Sequence, residues 1–181
     1  MIKRFLACFT IFVMSFSCLA FAAEPDKSNA LRTDGYTYWK ITSTPIGEEN
    51  GEYHVIHRGP GGDTYQKKYV FTITETISAS AEVGILEAIK AMLKVNLGGS
   101  FSKEFSFSGK FGGENYDPKK TYELRAWPVY DKYSTKGKEY IKIDGYEQPT
   151  GKSYGYPGDK EGAKIVKKFR TVAHRADFEV W

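Results

Sequence analysis

The chain has 181 residues, 41% of them hydrophobic, and a formal net charge of +4. That length allows one hydrophobic core, and no basic run concentrates the mild positive excess, which argues against nucleic acid as a target. Both cysteines, Cys8 and Cys18, fall in the N-terminal apolar segment, so the rest of the chain has no thiol for disulfide, metal or nucleophile chemistry.

Lys3 and Arg4 precede an uncharged apolar run, Phe5–Phe21, and Ala20-Phe21-Ala22 supplies the small residues that signal peptidase requires. Residues 1–22 read as a secretory signal peptide, cleaved after Ala22 or Ala23, which predicts a secreted or envelope-associated protein. Residues 23–34 read as a flexible polar leader and 35–181 as a single β-rich domain. Gly35–Thr44 and Gly51–Arg58 have strand character and are joined by a turn around Pro45–Gly51. Gly59-Pro60-Gly61-Gly62-Asp63 is a loop, since no lysine and serine or threonine follow in the context a phosphate cradle needs.

Tyr69–Val83 alternates strictly. Tyr69, Phe71, Ile73, Glu75 and Ile77 share one side, and Val70, Thr72, Thr74, Thr76 and Ser78 share the other. A period of two over this length predicts a half-buried strand. The period then changes: Ile85, Leu86, Ile89, Met92 and Leu93 fall on one helical face, which predicts a short amphipathic helix over about 85–97, stopped by the glycines that follow. Alternation resumes over about 99–111, with Phe101, Phe105 and Phe107 against Ser102, Ser106 and Ser108. Each long strand carries one charge on its apolar side, Glu75 and Lys103. Antiparallel pairing that sets Glu75 opposite Lys103 also sets Ile77 against Phe101, Ile73 against Phe105 and Phe71 against Phe107, each pair worth roughly 0.2–1 kcal/mol. The competing topology is a right-handed β-α-β crossover with parallel strands, and the charge match favours the antiparallel one.

Tyr122–Tyr133 reads as a strand broken or edged by Pro128, Glu139–Ile143 as another short strand, and Gly145–Gly162 as a long loop. Ala163–Ala173 and Asp177–Trp181 again have strand composition. The fold expected is mainly β, a single antiparallel sandwich-like or twisted-sheet domain with one helix between two long strands.

No nucleophile–base pair, carboxylate pair or metal-ligand cluster is recognisable, so no enzymatic activity, cofactor or metal is expected. His54 and His57, three apart on a strand, are expected on opposite faces. Two surfaces remain as candidates. Tyrosines and Trp127 between Tyr122 and Tyr156 are interleaved with Lys132, Lys136, Lys138 and Lys152, and Trp127, Tyr130, Tyr154 and Tyr156 are the candidate ligand contacts. Alternatively the 69–111 hairpin inserts into a membrane, lipid meeting its apolar face and the helix row Ile85, Leu86, Ile89, Met92 and Leu93 leading as the tip.

The string Thr72–Gly99, the Ser/Phe strand after it and Ala126-Trp127-Pro128-Val129-Tyr130 together resemble small secreted bacterial proteins of unknown function with a Ser/Thr-rich strand–helix–strand centre. That resemblance implies export and a β-rich fold and brings no activity. The hairpin more distantly resembles the insertion hairpins of aerolysin-type β-pore-forming toxins, which implies membrane insertion. The expected function is therefore surface contact by a secreted, non-enzymatic protein with a cell envelope or another macromolecule. The alternative is a membrane-active, pore-forming or bacteriocin-like protein.

Overall fold

The computed structural model describes residues 35–112 and 116–180; the expected signal peptide and leader lie outside them. The described chain is mainly β and antiparallel, with a single helix. Its elements are β1 (Tyr36–Asn50), β2 (His54–Pro60), β3 (Thr64–Thr74), β4 (Thr76–Ile77), α1 (Val83–Leu93), β5 (Ser100–Lys110), β6 (Thr121–Ile143), β7 (Tyr146–Tyr154) and β8 (Lys164–Val180).

β6 organises everything else. The two strands expected at Tyr122–Tyr133 and Glu139–Ile143 are one strand of 23 residues. β1 and β2 lie end to end along one of its edges, β7 and β8 along the other, and β4 adds to the outside of β8. Pro128 does not break it. The Pro128 carbonyl accepts from the Gly51 N–H at 2.8 Å, so the missing Pro128 donor points to the same side, into the gap between β1 and β2 where no strand needs it. The expected loop from Gly145 instead opens with β7, because Asp144 and Gly145 both take positive φ (48° and 85°) and close a two-residue hairpin.

Where the ladders on β6 shift register, the extra residues belong to the neighbours, so β6 itself keeps strict alternation. Its buried side nevertheless changes along its length. In the first half the even-numbered side is covered: Tyr122, Leu124 and Ala126 pack under β3 and β5 with Phe71, Ile73, Phe107 and Phe111. In the second half the odd-numbered side is covered: Tyr133 and the neighbouring Val166, Tyr154 and Ile41 pack under α1 with Ile85, Ile89 and Leu93. The two cores therefore lie on opposite faces of one sheet. Each fully buried Phe or Ile contributes about 1.5–3 kcal/mol of transfer free energy.

β3 and β5 form their own two-stranded antiparallel ribbon, as expected, but in a different register. Lys103 pairs with Phe71 rather than Glu75, a displacement of four residues in β3, while Phe101 faces Ile73 and Phe105 faces Tyr69. The displacement is an even number, so every side chain keeps its expected side. Pairing ends at Thr74 because the chain turns away around the edge of β8, where Thr76 and Ile77 pair with Lys167 and Val166, to reach the opposite face and form α1. The predicted strand over 69–83 thus stops early, and the helix begins at Val83 rather than Ile85. Glu75 is pinned at that crossing: its buried carboxylate accepts from Asn96 N at 2.6 Å and Phe169 N at 2.8 Å. Lys103 lies over the rings of Phe105 and Phe169, 5.4 and 5.8 Å from their centroids. The predicted Glu75–Lys103 pair does not form, because each charge has another partner.

Candidate functional site

Among the described residues, two lids on opposite faces of β6 leave two quarters of the sheet with no element packed over them. One is the even-numbered side of its second half, the reverse of the α1 core. Register builds this face row by row: Tyr36 stands opposite Lys142, Tyr38 opposite Tyr140, Lys40 opposite Lys138 and Thr42 opposite Lys136. On the far side of β6, Lys142 faces Glu147, Tyr140 faces Pro149 and Lys138 faces Ser153. Alternation explains the composition, since the residues in between, Trp39, Ile41 and Tyr133, go to the α1 core.

The rings and cations interlock. Tyr38 and Tyr140 are stacked with centroids 6.2 Å apart, and Tyr36 leans on Tyr38 at 5.9 Å. Lys40 Nζ lies 4.6 Å from the Tyr140 centroid, and Lys138 Nζ lies 4.8 Å from that of Tyr156. Glu147 pairs with Lys40, whose hydrogen bond, followed by the influence of Tyr38, holds the carboxyl below its usual range; the Lys40 ammonium is raised in return. The Tyr38 hydroxyl is buried without a hydrogen bond of good geometry among the described residues, yet Glu147 beside it raises the phenol. Tyrosine rings thus hold lysines in fixed array on a surface where Lys136, Lys138 and Lys142 outnumber the acids facing them. Such an array can stack apolar ring faces and attract negative charge at the same time.

The residues expected to contact a ligand are dispersed. Tyr154 is buried in the α1 core, where burial pushes its hydroxyl pKa up. Tyr130 packs against Phe169 at the ribbon core, centroids 6.2 Å apart. Trp127 lies on the odd-numbered side, in the other bare quarter, and Tyr156 alone joins the Tyr/Lys face. The array on β1 (Tyr36, Tyr38 and Lys40) is not among the residues expected from the sequence, because its signal is the pairing of β1 with β6 and not its own composition.

The helix row is divided. Ile85, Ile89 and Leu93 are core residues in this conformation, Leu86 is half-buried, and Met92 is 36% exposed. His54 and His57 share a face, against expectation, because the β2 ladder shifts between Val55 and His57. Both meet the ribbon: His54 packs on Tyr69 and Phe71, and His57 stacks on Phe111 and bonds Asp63 at 2.8 Å. Among the described residues no group of three or more His, Cys, Asp or Glu is placed to hold a metal, and no helix is long and apolar enough to cross a membrane. Comparison with protein-family models, curated proteins and solved structures finds no match for the chain.

Proposed function

We propose that this is a secreted, non-enzymatic protein that acts by surface contact, holding an anionic polymer of a cell envelope on its Tyr/Lys face. One observation carries the reading: among the described residues the second half of the sheet is covered on one side only, and its other side is an ordered array of tyrosines and lysines. Exposed charges of this kind attract a polyanion over a distance of about 8 Å at physiological salt, so contact weakens as salt rises. The test is co-sedimentation with purified cell wall before and after chemical removal of its anionic polymer. Binding is expected to the intact wall only, to fall steeply with added salt, and to be lost in K136E/K138E. Equal binding to the stripped wall, or none to either, would overturn the proposal.

A second reading, membrane insertion by the 64–110 segment, is favoured by a separate observation. Among the described residues β3 and β5 hydrogen-bond as a strand pair only to each other, with Thr72, Thr74, Ser102 and Ser106 on the solvent side and the Phe residues inward. Each is 11 residues long, and a membrane-spanning strand needs about 9–11. Release of dye from liposomes at micromolar protein, abolished by Met92→Asp at an exposed tip position, would support this reading. Intact vesicles would retire it.

A further inference from the structure

The second bare quarter is the odd-numbered side of the first half of β6, behind the ribbon. There Tyr53, Arg125, Trp127 and Phe178, with Asn50 and Gly51, enclose an open cleft of about 360 Å³. That volume lies in the range of small-ligand sites, roughly 300–1,000 Å³. Arg125 and Trp127 are successive residues on that side of β6, and Phe178 of β8 is paired with Glu123 on the same side. Gly51 draws the β1–β2 connection in tightly: a Cβ there would lie 2.6 Å from Pro128 Cγ. Tyr53, two residues further on, lines the cleft and is 53% exposed.

The cation in this cleft is held in place from three directions. The Arg125 guanidinium carbon lies 4.8 Å from the Tyr53 ring centroid and 4.2 Å from that of Phe178. Its Nε donates to Glu123 Oε2 at 2.6 Å, while the other Glu123 oxygen takes Arg58 Nε at 2.6 Å. Glu123 is only 2% exposed, so one buried carboxylate serves two guanidinium groups and a net positive charge remains. Spending Nε on Glu123 leaves the terminal amino groups of Arg125 as the planar fork that suits an incoming carboxylate. Trp127 and the exposed Tyr53 supply flat apolar surfaces beside it.

We propose that this cleft binds a hexuronate, a sugar ring carrying a carboxylate. The C–H face of the pyranose lies on Trp127 and Tyr53, and its carboxylate accepts from the Arg125 terminal amino groups. A neutral sugar leaves the guanidinium unanswered, and a carboxylate without a ring leaves the aromatic walls uncovered. This site does not depend on the Tyr/Lys face, which lies on the other side of the sheet and along its other half.

The test is a tryptophan-fluorescence and calorimetric titration of the whole protein with D-glucuronate, a linear oligouronide, D-glucose and acetate. Glucuronate is expected to saturate with at least tenfold preference over glucose and acetate. The oligouronide arm separates recognition of a free sugar acid from that of a polymer: binding at least as tight as the monomer's means that the cleft admits a chain, and binding by the monomer alone means that it takes free or terminal residues. Both results support a uronate site. R125Q and Y53S are each expected to weaken glucuronate at least tenfold; Y53S removes an exposed ring, so loss of folding does not confound it. No saturable binding of either uronate, equal binding of glucose, or affinity unchanged in Y53S would each overturn the proposal. The wall assay reads Lys136 and Lys138 while this titration reads Tyr53 and Arg125, so either proposal can fail alone.

Discussion

Glu75 and Glu123 are both buried carboxylates, and they are satisfied in different ways. Glu75 answers two backbone N–H groups and meets no cation in the contacts described for it. Glu75→Ala removes the acceptor of both donors, at about 1–3 kcal/mol for each that stays shielded from water. Lys103 merely rests on two rings, so Lys103→Met is expected to cost about 1 kcal/mol or less. Urea denaturation of the two variants checks the asymmetry; had they formed the ladder pair expected from their spacing, the costs would be similar. Burial alone would raise the Glu123 carboxyl, but the hydrogen bonds from Arg125 and Arg58 outweigh it and hold the group below the ordinary glutamate value. A depressed folded-state pKa stabilises the fold above the unfolded value, about 4.3, and that contribution fades as pH drops through the folded one. Stability measured by denaturant between pH 6 and pH 3 should therefore fall less steeply in Glu123→Gln than in the unaltered protein, starting from a lower plateau.

At the scale of elements, α1 is held by one row of side chains. Ile89 is fully buried, so Ile89→Ala should cost about 2–5 kcal/mol, whereas Met92→Ala, on the open side, should stay near 0.5 kcal/mol in a thermal melt. The helix and the two ribbon strands are legible in the sequence because each rests on a local period; their antiparallel sense is the one expected from matching Glu75 to Lys103, although that pair does not form. The ribbon register is not. Matching Glu75 to Lys103 ignores that a buried carboxylate can be satisfied by main-chain donors, here supplied by Asn96 and by Phe169 of a distant strand. β7 hides in a Gly/Pro/Tyr-rich stretch, and its signal is the Asp144-Gly145 dipeptide that closes the hairpin. Of the candidate surface, the lysines and Tyr140 and Tyr156 stand in a visibly aromatic, basic region. Tyr36, Tyr38 and Lys40 join them through pairing across about a hundred residues, which no local pattern reveals.

At the scale of the molecule, β6 is flanked on both edges by other strands, while among the described residues the ribbon has no strand partner beyond its own two members. Native-state hydrogen exchange should therefore find the slowest amides between Thr121 and Thr135 and the fastest strand amides on the outer edges of β3 and β5. Ribbon amides as slow as those of β6 would contradict this ranking. The lids also separate the two proposed contacts: polyanion on the reverse of α1, sugar acid on the reverse of the ribbon.

That β6 is greasy first on one side and then on the other constrains how its length can change. One residue inserted at Asp131 or Lys132 would leave the ribbon seated and rotate everything downstream by half a turn. Lys136 and Lys138 would then be driven beneath α1, and Tyr133 and Thr135 turned into water. A two-residue insertion at the same point restores the phase and only lengthens the ladder. In a library of indels through the middle of this strand, survivors should therefore differ from the parent by pairs.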